Sequence, residues 1–176
     1  MMAMEVTRIE QTLADLFNFV DATPMKKERS LLYPLIIKGL ILFYSVMEKQ
    51  GIKHKTYIPE KLIYDFDPQQ MRLVFIHLIR NAIEAMENGG ELTIEAVAKS
   101  EHIHIYVRDT GIGIASSDLQ LVLNPFYSTK DSGIGTGLAT VKRIVSDHNG
   151  DLSLRNRKND GIEVEITLPH KELSNK

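Results

Sequence analysis

A chain of 176 residues with 21 basic and 23 acidic side chains carries a formal net charge of -2, which leaves no broad basic face for a nucleic-acid backbone. With no cysteine, disulfides and thiolate metal sites are excluded, and a reducing, cytoplasmic setting is the default expectation. The length suits one domain with an appended element, and the start MMAMEVTRIEQ has neither the basic opening nor the apolar run of an export signal.

Ile9, Leu13, Leu16, Phe17 and Val20 recur at helical spacing between polar residues and predict an amphipathic helix, broken at Thr23-Pro24. Such a terminal helix is marginal alone, so its stripe calls for a partner surface. The run LLYPLIIKGLILFYSVM, Leu31 to Met47, raises a membrane span. However, Lys38 and Gly39 interrupt its middle, and it is shorter than the ~20 residues a bilayer core needs, so a buried core helix ending near Gly51 is the expectation. Two short strands are predicted between Lys55 and Asp67, punctuated by Pro59. A second helix follows Pro68 and runs to Glu87, stopped by Asn88-Gly89-Gly90. Leu92, Ile94 and Ala96, then Ile103, Ile105 and Val107, alternate as strands, the latter ending at Asp109-Thr110-Gly111.

The stretch from Ala115 to Gly135 predicts a long loop with a short helical turn around Asp118 to Val122, and loops of this length are functional or mobile. From Gly137 the apolar Leu138, Val141, Ile144 and Val145 predict a helix to Asn149-Gly150. A terminal hairpin, Asp151 to Leu154 and Ile162 to Leu168 about an Asn159-Asp160-Gly161 turn, argues for a mixed or antiparallel sheet.

Each candidate site segment has a plain alternative. His77, Asn81 and Glu84 share one stripe of the Arg72 to Met86 helix, which is also what the wet face of any amphipathic helix looks like. Asp109-Thr110-Gly111-Ile112-Gly113 follows a strand; its glycines allow backbone to pass a flat ligand and its carboxylate can accept from an exocyclic amine, but Asp-x-Gly is also a common turn. In KDSGIGTGLAT, Gly133, Gly135 and Gly137 can offer N–H groups to an anion at a helix start, with Lys130 as a point charge. The same glycines could serve only as a hinge. The spacing matches neither GxGxxG nor GxxxxGK[ST].

Taken in order, these motifs are more specific. HLIRNAIEAM resembles the asparagine box, DTGIGI the first glycine box, NPFYSTK the phenylalanine box and GIGTGLAT the second glycine box of the GHKL ATP-binding superfamily. The likeness runs from about Leu62 to Pro169 and is nearest to the catalytic and ATP-binding domain of two-component sensor histidine kinases. It implies the Bergerat ATP-binding fold, a two-layer α/β sandwich with a mixed sheet on helices, over residues 24–176. Residues 1–23 resemble the second helix of the dimerisation and phosphotransfer hairpin, a partial N-terminal hairpin helix.

The resemblance also implies roles. Asn81 would hold the Mg²⁺ that bridges the phosphates of ATP, Asp109 would bind the adenine amine, and Gly111, Gly113 and Ile114 would shape the base pocket. Phe126 would anchor a mobile lid, Lys130 would contact phosphate, and Gly133, Gly135, Thr136, Gly137 and Leu138 would line the triphosphate. His77 stands where gyrase-like ATPases carry a water-activating glutamate, so the γ-phosphate is expected to be kept for a protein acceptor, with His77 and Lys130 the candidates at the reacting end. Glu84 occupies a position often held by lysine, Ala139 replaces a frequent glycine, and Leu123-Asn124 replaces an acidic pair-mate.

His54, His77, His102, His104, His148 and His170 all lack the context of a phospho-acceptor, and His102 and His104, which alternate on one strand face, have no further metal-ligand spacing beside them. The expectation is therefore a fragment that binds ATP but awaits an acceptor helix from its own or a partner protomer of a homodimer, and passes the phosphoryl group to a response regulator receiver domain. It leaves membrane anchoring of the full-length protein open and expects no membrane contact from this chain. An anti-sigma-type serine kinase and a non-catalytic nucleotide-binding or dimerisation module are the alternatives.

Overall fold

In the computed structural model, which describes residues 24–99, 101–128, 135–158 and 161–170, the chain runs β1 (Glu28–Leu31), α1 (Leu32–Gln50), β2 (Ile52–Tyr57), β3 (Ile63–Phe66), α2 (Pro68–Ala85), β4 (Gly90–Lys99) and β5 (His102–Arg108). It continues through a 3₁₀ turn (Leu121–Leu123), α3 (Gly137–Asp147), β6 (Asp151–Asn156) and β7 (Ile162–Pro169). The amphipathic stretch 1–23, Lys130, Gly133 and the Asn159-Asp160 turn lie outside the described residues.

Strand alternation builds the main sheet. Ile94 of β4 lies opposite Val107 of β5, and Ile105 opposite Ile166 of β7, all of them buried. Successive strand residues face opposite sides, so one set makes an apolar face and the other a polar one. The order is β2-β4-β5-β7-β6, with β2 parallel to β4 and the remaining pairs antiparallel, the mixed sheet that the hairpin led one to expect. On the polar face Arg108 joins Glu95 at 2.6 Å and Glu163 at 2.5 Å. Burial alone would raise the Glu163 carboxyl, but Arg108 and Arg155 outweigh it and hold it below the usual carboxylate range.

Helix α2 lies across the apolar face. Asp67 caps it, its Oδ1 accepting from the N–H groups of Gln69 and Gln70 at 3.0 Å, and Pro68 occupies the first turn where its missing N–H costs nothing. Met71, Val74, Phe75, Leu78, Ile79, Ala82 and Ile83 form its buried stripe, each large member stabilising by about 1.5–3 kcal/mol. The helix ends at Ala85, followed by Gly89 and Gly90 at φ 86° and 156°. α1 packs against it where Gly39 permits close approach, since a Cβ there would stand 3.1 Å from Ile79 Cδ1.

Two details differ from the sequence expectation. α1 is buried on one face only: Leu32, Ile36, Leu40 and Met47 are covered, whereas Ile41 and Leu42 are 67% and 57% exposed. In a two-layer fold a helix meets its neighbours on one side, however apolar its other side is. Second, Glu28–Leu31, of which the sequence assigns only Leu31, and that to the helix, forms an antiparallel ribbon with β3, Glu28 opposite Phe66 and Leu31 opposite Ile63. No helix among the described residues is long and apolar enough to cross a membrane.

Candidate functional site

The candidate residues gather along α2. His77 is buried at 3% exposure, Asn81 is half-buried and Glu84 exposed, so this stripe of the helix climbs from the interior to solvent. At its inner end lies the start of α3: a Cβ on Gly137 would stand 3.3 Å from His77 Nδ1. At its outer end lies the loop after β5. Gly111 rests on Ala85, where a Cβ would come within 2.7 Å of the Ala85 Cβ and closer still to its carbonyl oxygen, and the Ile112 N–H donates to that oxygen at 3.1 Å. With a rise of 1.5 Å per residue, His77 and Ala85 are about 12 Å apart along the helix, with Asn81 midway. Two glycine-rich segments, separated in sequence, therefore flank one helix at the two ends of an elongated site.

The outer end is the more elaborately held. Asp109 is buried at 7% exposure. Its Oδ1 accepts from the N–H groups of Gly111 at 2.8 Å and Ile162 at 3.3 Å, while its own N–H donates to the Ile162 carbonyl at 3.1 Å. A carboxylate fixed in this way at a strand end can still accept from an amine on a planar ligand, because each oxygen takes more than one donor. Gly161 backs it; a side chain there would strike the Asp109 backbone. Thr110 Oγ1 accepts from the Glu91 N–H at 3.0 Å, tying the loop to the start of β4. Gly113 adopts φ 71°, in the left-handed region that favours glycine.

At the inner end the N–H of Phe126 donates to the Gly135 carbonyl at 3.0 Å, and Gly135, at φ 73°, lies against the backbone of Tyr127. The segments on either side of 129–134 are thereby joined. Phe126 itself holds φ 66°, unusual for a bulky residue, with its side chain 63% exposed. Thr136 is buried, and its side chain makes no cap bond to α3, so the first-turn N–H groups of that helix and its positive dipole end suit an anion. Leu138 packs on the core beneath.

Three supports carried no signal in the sequence reading. His148, fully buried, accepts the Asp67 N–H on Nε2 at 2.9 Å while its Nδ1–H donates to the Ile144 carbonyl at 2.7 Å. It thus ties the end of α3 to the cap of α2 as a neutral ring with one tautomer. Asn156 and Arg157, in the β6–β7 hairpin, bond to the loop after β5. The alternating His102 and His104 lie on the polar sheet face, His104 Nδ1 3.0 Å from Glu165 Oε1, and no group of three potential metal ligands occurs among the described residues.

Residues 66–172 match the family model described as histidine kinase-, DNA gyrase B- and HSP90-like ATPase. Sporulation kinase C of Bacillus subtilis is 39% identical over 108 residues, 61% of this chain and 25% of that protein. Sporulation kinase A of the same organism is 32% identical over 171 residues, 95% of this chain and 28% of that protein. This chain therefore spans about a quarter of the length of these relatives. Among solved structures, the catalytic domain of histidine kinase ThkA superposes with a TM-score of 0.77 at 28% identity, covering 84% of this chain and 97% of that one. ThkA in complex with the response regulator TrrA gives 0.80 at 24% identity over 96% of this chain and 49% of that one, a likeness of fold.

Proposed function

The chain belongs to the histidine kinase-, DNA gyrase B- and HSP90-like ATPase family, and from that premise we propose that it is the Mg-ATP-binding catalytic unit of a sensor histidine kinase. In this reading it transfers the γ-phosphoryl group to a histidine on a hairpin supplied by the rest of the protein or by a partner protomer of a homodimer, for relay to a response regulator. The observation that carries the reading is the arrangement along α2, with a buried carboxylate at one end, a glycine-lined helix start at the other and Asn81 between them.

Asp109 accepts the adenine amine, and Gly111, Gly113 and Ile114 form the walls of the base pocket. The start of α3, with Gly135, Thr136, Gly137 and Leu138, receives the phosphates; Lys130 and Gly133 complete that end in sequence. The donor set fits a magnesium ion. Asn81 offers a hard amide oxygen on the half-buried part of α2, as suits a cation that is bound largely through phosphates and water. Such an ion, when bound, neutralises charge on the transferring phosphoryl group. With His77 where a water-activating carboxylate would stand, the site positions ATP for a protein nucleophile rather than for water.

Residues 1–23, with their apolar stripe of Ile9, Leu13, Leu16, Phe17 and Val20, then belong to the second helix of the hairpin, and 24–176 to the catalytic unit. The reading implies a cytoplasmic unit, because that is where ATP and receiver domains meet. Mixing the chain with Mg-ATP and a separately made acceptor-helix domain tests the proposal: phosphate should appear on the acceptor histidine and not on this chain. Asn81→Ala and Asp109→Ala should each abolish ATP binding in calorimetry. Unchanged affinity in both would refute the site, and no transfer in trans would refute the kinase.

A further inference from the structure

The loop 109–114 touches α2 at Ala85 and is gripped on its other side by the β6–β7 hairpin. At the loop's start, Arg157 Nη1 donates to the Asp109 carbonyl at 2.8 Å, and the Ile162 backbone exchanges bonds with Asp109. At the loop's end, Asn156 Oδ1 accepts the Ile114 N–H at 3.0 Å and its Nδ2 donates to the Ile114 carbonyl at 2.6 Å. Both bonds form in only one orientation of the carboxamide. A single side chain thus does for Ile114 what a neighbouring strand residue would do, satisfying both backbone groups of a residue that belongs to no strand. Asn156 Oδ1 also stands 3.0 Å from where a Cβ of Gly113 would be, so the amide lies directly against the turn at φ 71°.

We propose that Asn156 is a positioning residue for base recognition, fixing the backbone of Gly113 and Ile114 so that the pocket wall keeps its distance from the Asp109 carboxylate. This rests on the nucleotide reading above and deepens it, assigning a determinant of base affinity to a residue outside the glycine and asparagine boxes. Asn156 is solvent-exposed and lies on the edge strand of the sheet, far from any need to fill the core. Arg157 acts with it from the same hairpin end, at the start of the loop, whereas Asn156 touches the part of the loop that bends.

The test uses the whole chain, with Asn156→Ala, which removes both bonds, and Asn156→Asp, which keeps the acceptor but sets a carboxylate oxygen against the Ile114 carbonyl. Calorimetric titrations are made with ADP and with inorganic tripolyphosphate, beside thermal unfolding without ligand. The expected result is ADP affinity lowered about fivefold to tenfold in Asn156→Ala and at least as far in Asn156→Asp, with tripolyphosphate affinity unchanged within twofold. ADP affinity within twofold of the parent in both variants overturns the inference and leaves the nucleotide site standing. Equal losses for ADP and tripolyphosphate, accompanied by a lower unfolding temperature, overturn it in favour of a general structural role. A parent chain that binds no ADP overturns both the inference and the nucleotide reading.

Discussion

The two ends of the candidate site are held by different parts of the fold. At the base end, loop 109–114 is held by backbone and side-chain bonds from α2, β4, β7 and the β6–β7 hairpin. At the proposed phosphate end, the links among the described residues include the Phe126–Gly135 bond, the Tyr127 N–H to the Asn124 carbonyl at 3.3 Å, the packing of Gly135 on Tyr127 and that of Gly137 on His77. In the proposed reading, a base pocket held in this way binds without having to order a loop. In the proposed reading the phosphate end is also where an acceptor must reach the γ-phosphate and the product must leave.

The largest test of this contrast is Gly111→Ala. The new methyl would collide with Ala85, which cannot withdraw without shifting the end of α2, and calorimetry should show adenosine and ATP both weakened by on the order of 100-fold. Retained adenosine binding would mean that the base end is not rigid. Gly135→Ala probes the other end, since a Cβ there meets the Tyr127 backbone, 2.7 Å from its nitrogen, at φ 73°. Phosphoryl transfer should slow about tenfold while adenosine affinity stays within twofold; parallel losses would erase the distinction between the two ends.

Smaller effects address what holds the helices. Asp67→Ala removes the cap of α2 and the acceptor for the Lys26 N–H at 2.8 Å, and denaturant unfolding should report a loss of about 1–2 kcal/mol. Burial pushes the Asp67 carboxyl up, but the backbone donors of Lys26, Gln70 and Gln69 together hold it below its usual value. Its contribution is therefore lost only as pH falls below about 3.9.

His148 acts in a higher window. Burial lowers its pKa, aided by Lys27 and opposed by the Ile144 carbonyl, Asp67 and Asp147. The unfolded chain then binds the proton more readily, so stability is full above about pH 6.5 and declines as pH falls below it. Protonation would also turn the Nε2 acceptor for Asp67 into a donor. The unfolding midpoint of the parent should fall between pH 7 and pH 5 more than that of His148→Asn, and equal slopes would remove His148 as the cause.

What was legible in the sequence was local. The α2 stripe, its Asp67-Pro68 start and Asn88-Gly89-Gly90 stop, the alternating strands and the ordered boxes each lie within a few residues of one another, and the structure forms the corresponding elements. β1 was illegible because Glu28 and Arg29 break any alternation, and its strand character comes from pairing with Asp65 and Phe66. Asn156 and Arg157 look like ordinary polar residues near a turn, and their bonds reach 42 and 48 positions back along the chain. His148 was visible as a histidine, but its bond to Asp67 spans 81 positions. The outward residues of α1 misled for the opposite reason: apolar composition says what could be buried, whereas the layer arrangement decides which side is.

In the proposed reading, base and phosphate ends are read off one helix between His77 and Ala85, and that segment works as a ruler. One inserted residue would lengthen it by about 1.5 Å and turn everything beyond by about 100°, carrying either Asn81 or Ala85 off the shared face. On the other side of the site, the Phe126 N–H and the Gly135 carbonyl join the two flanks of 129–134 at 3.0 Å. Changes of length should not be tolerated along the ruler itself, those two turns of α2.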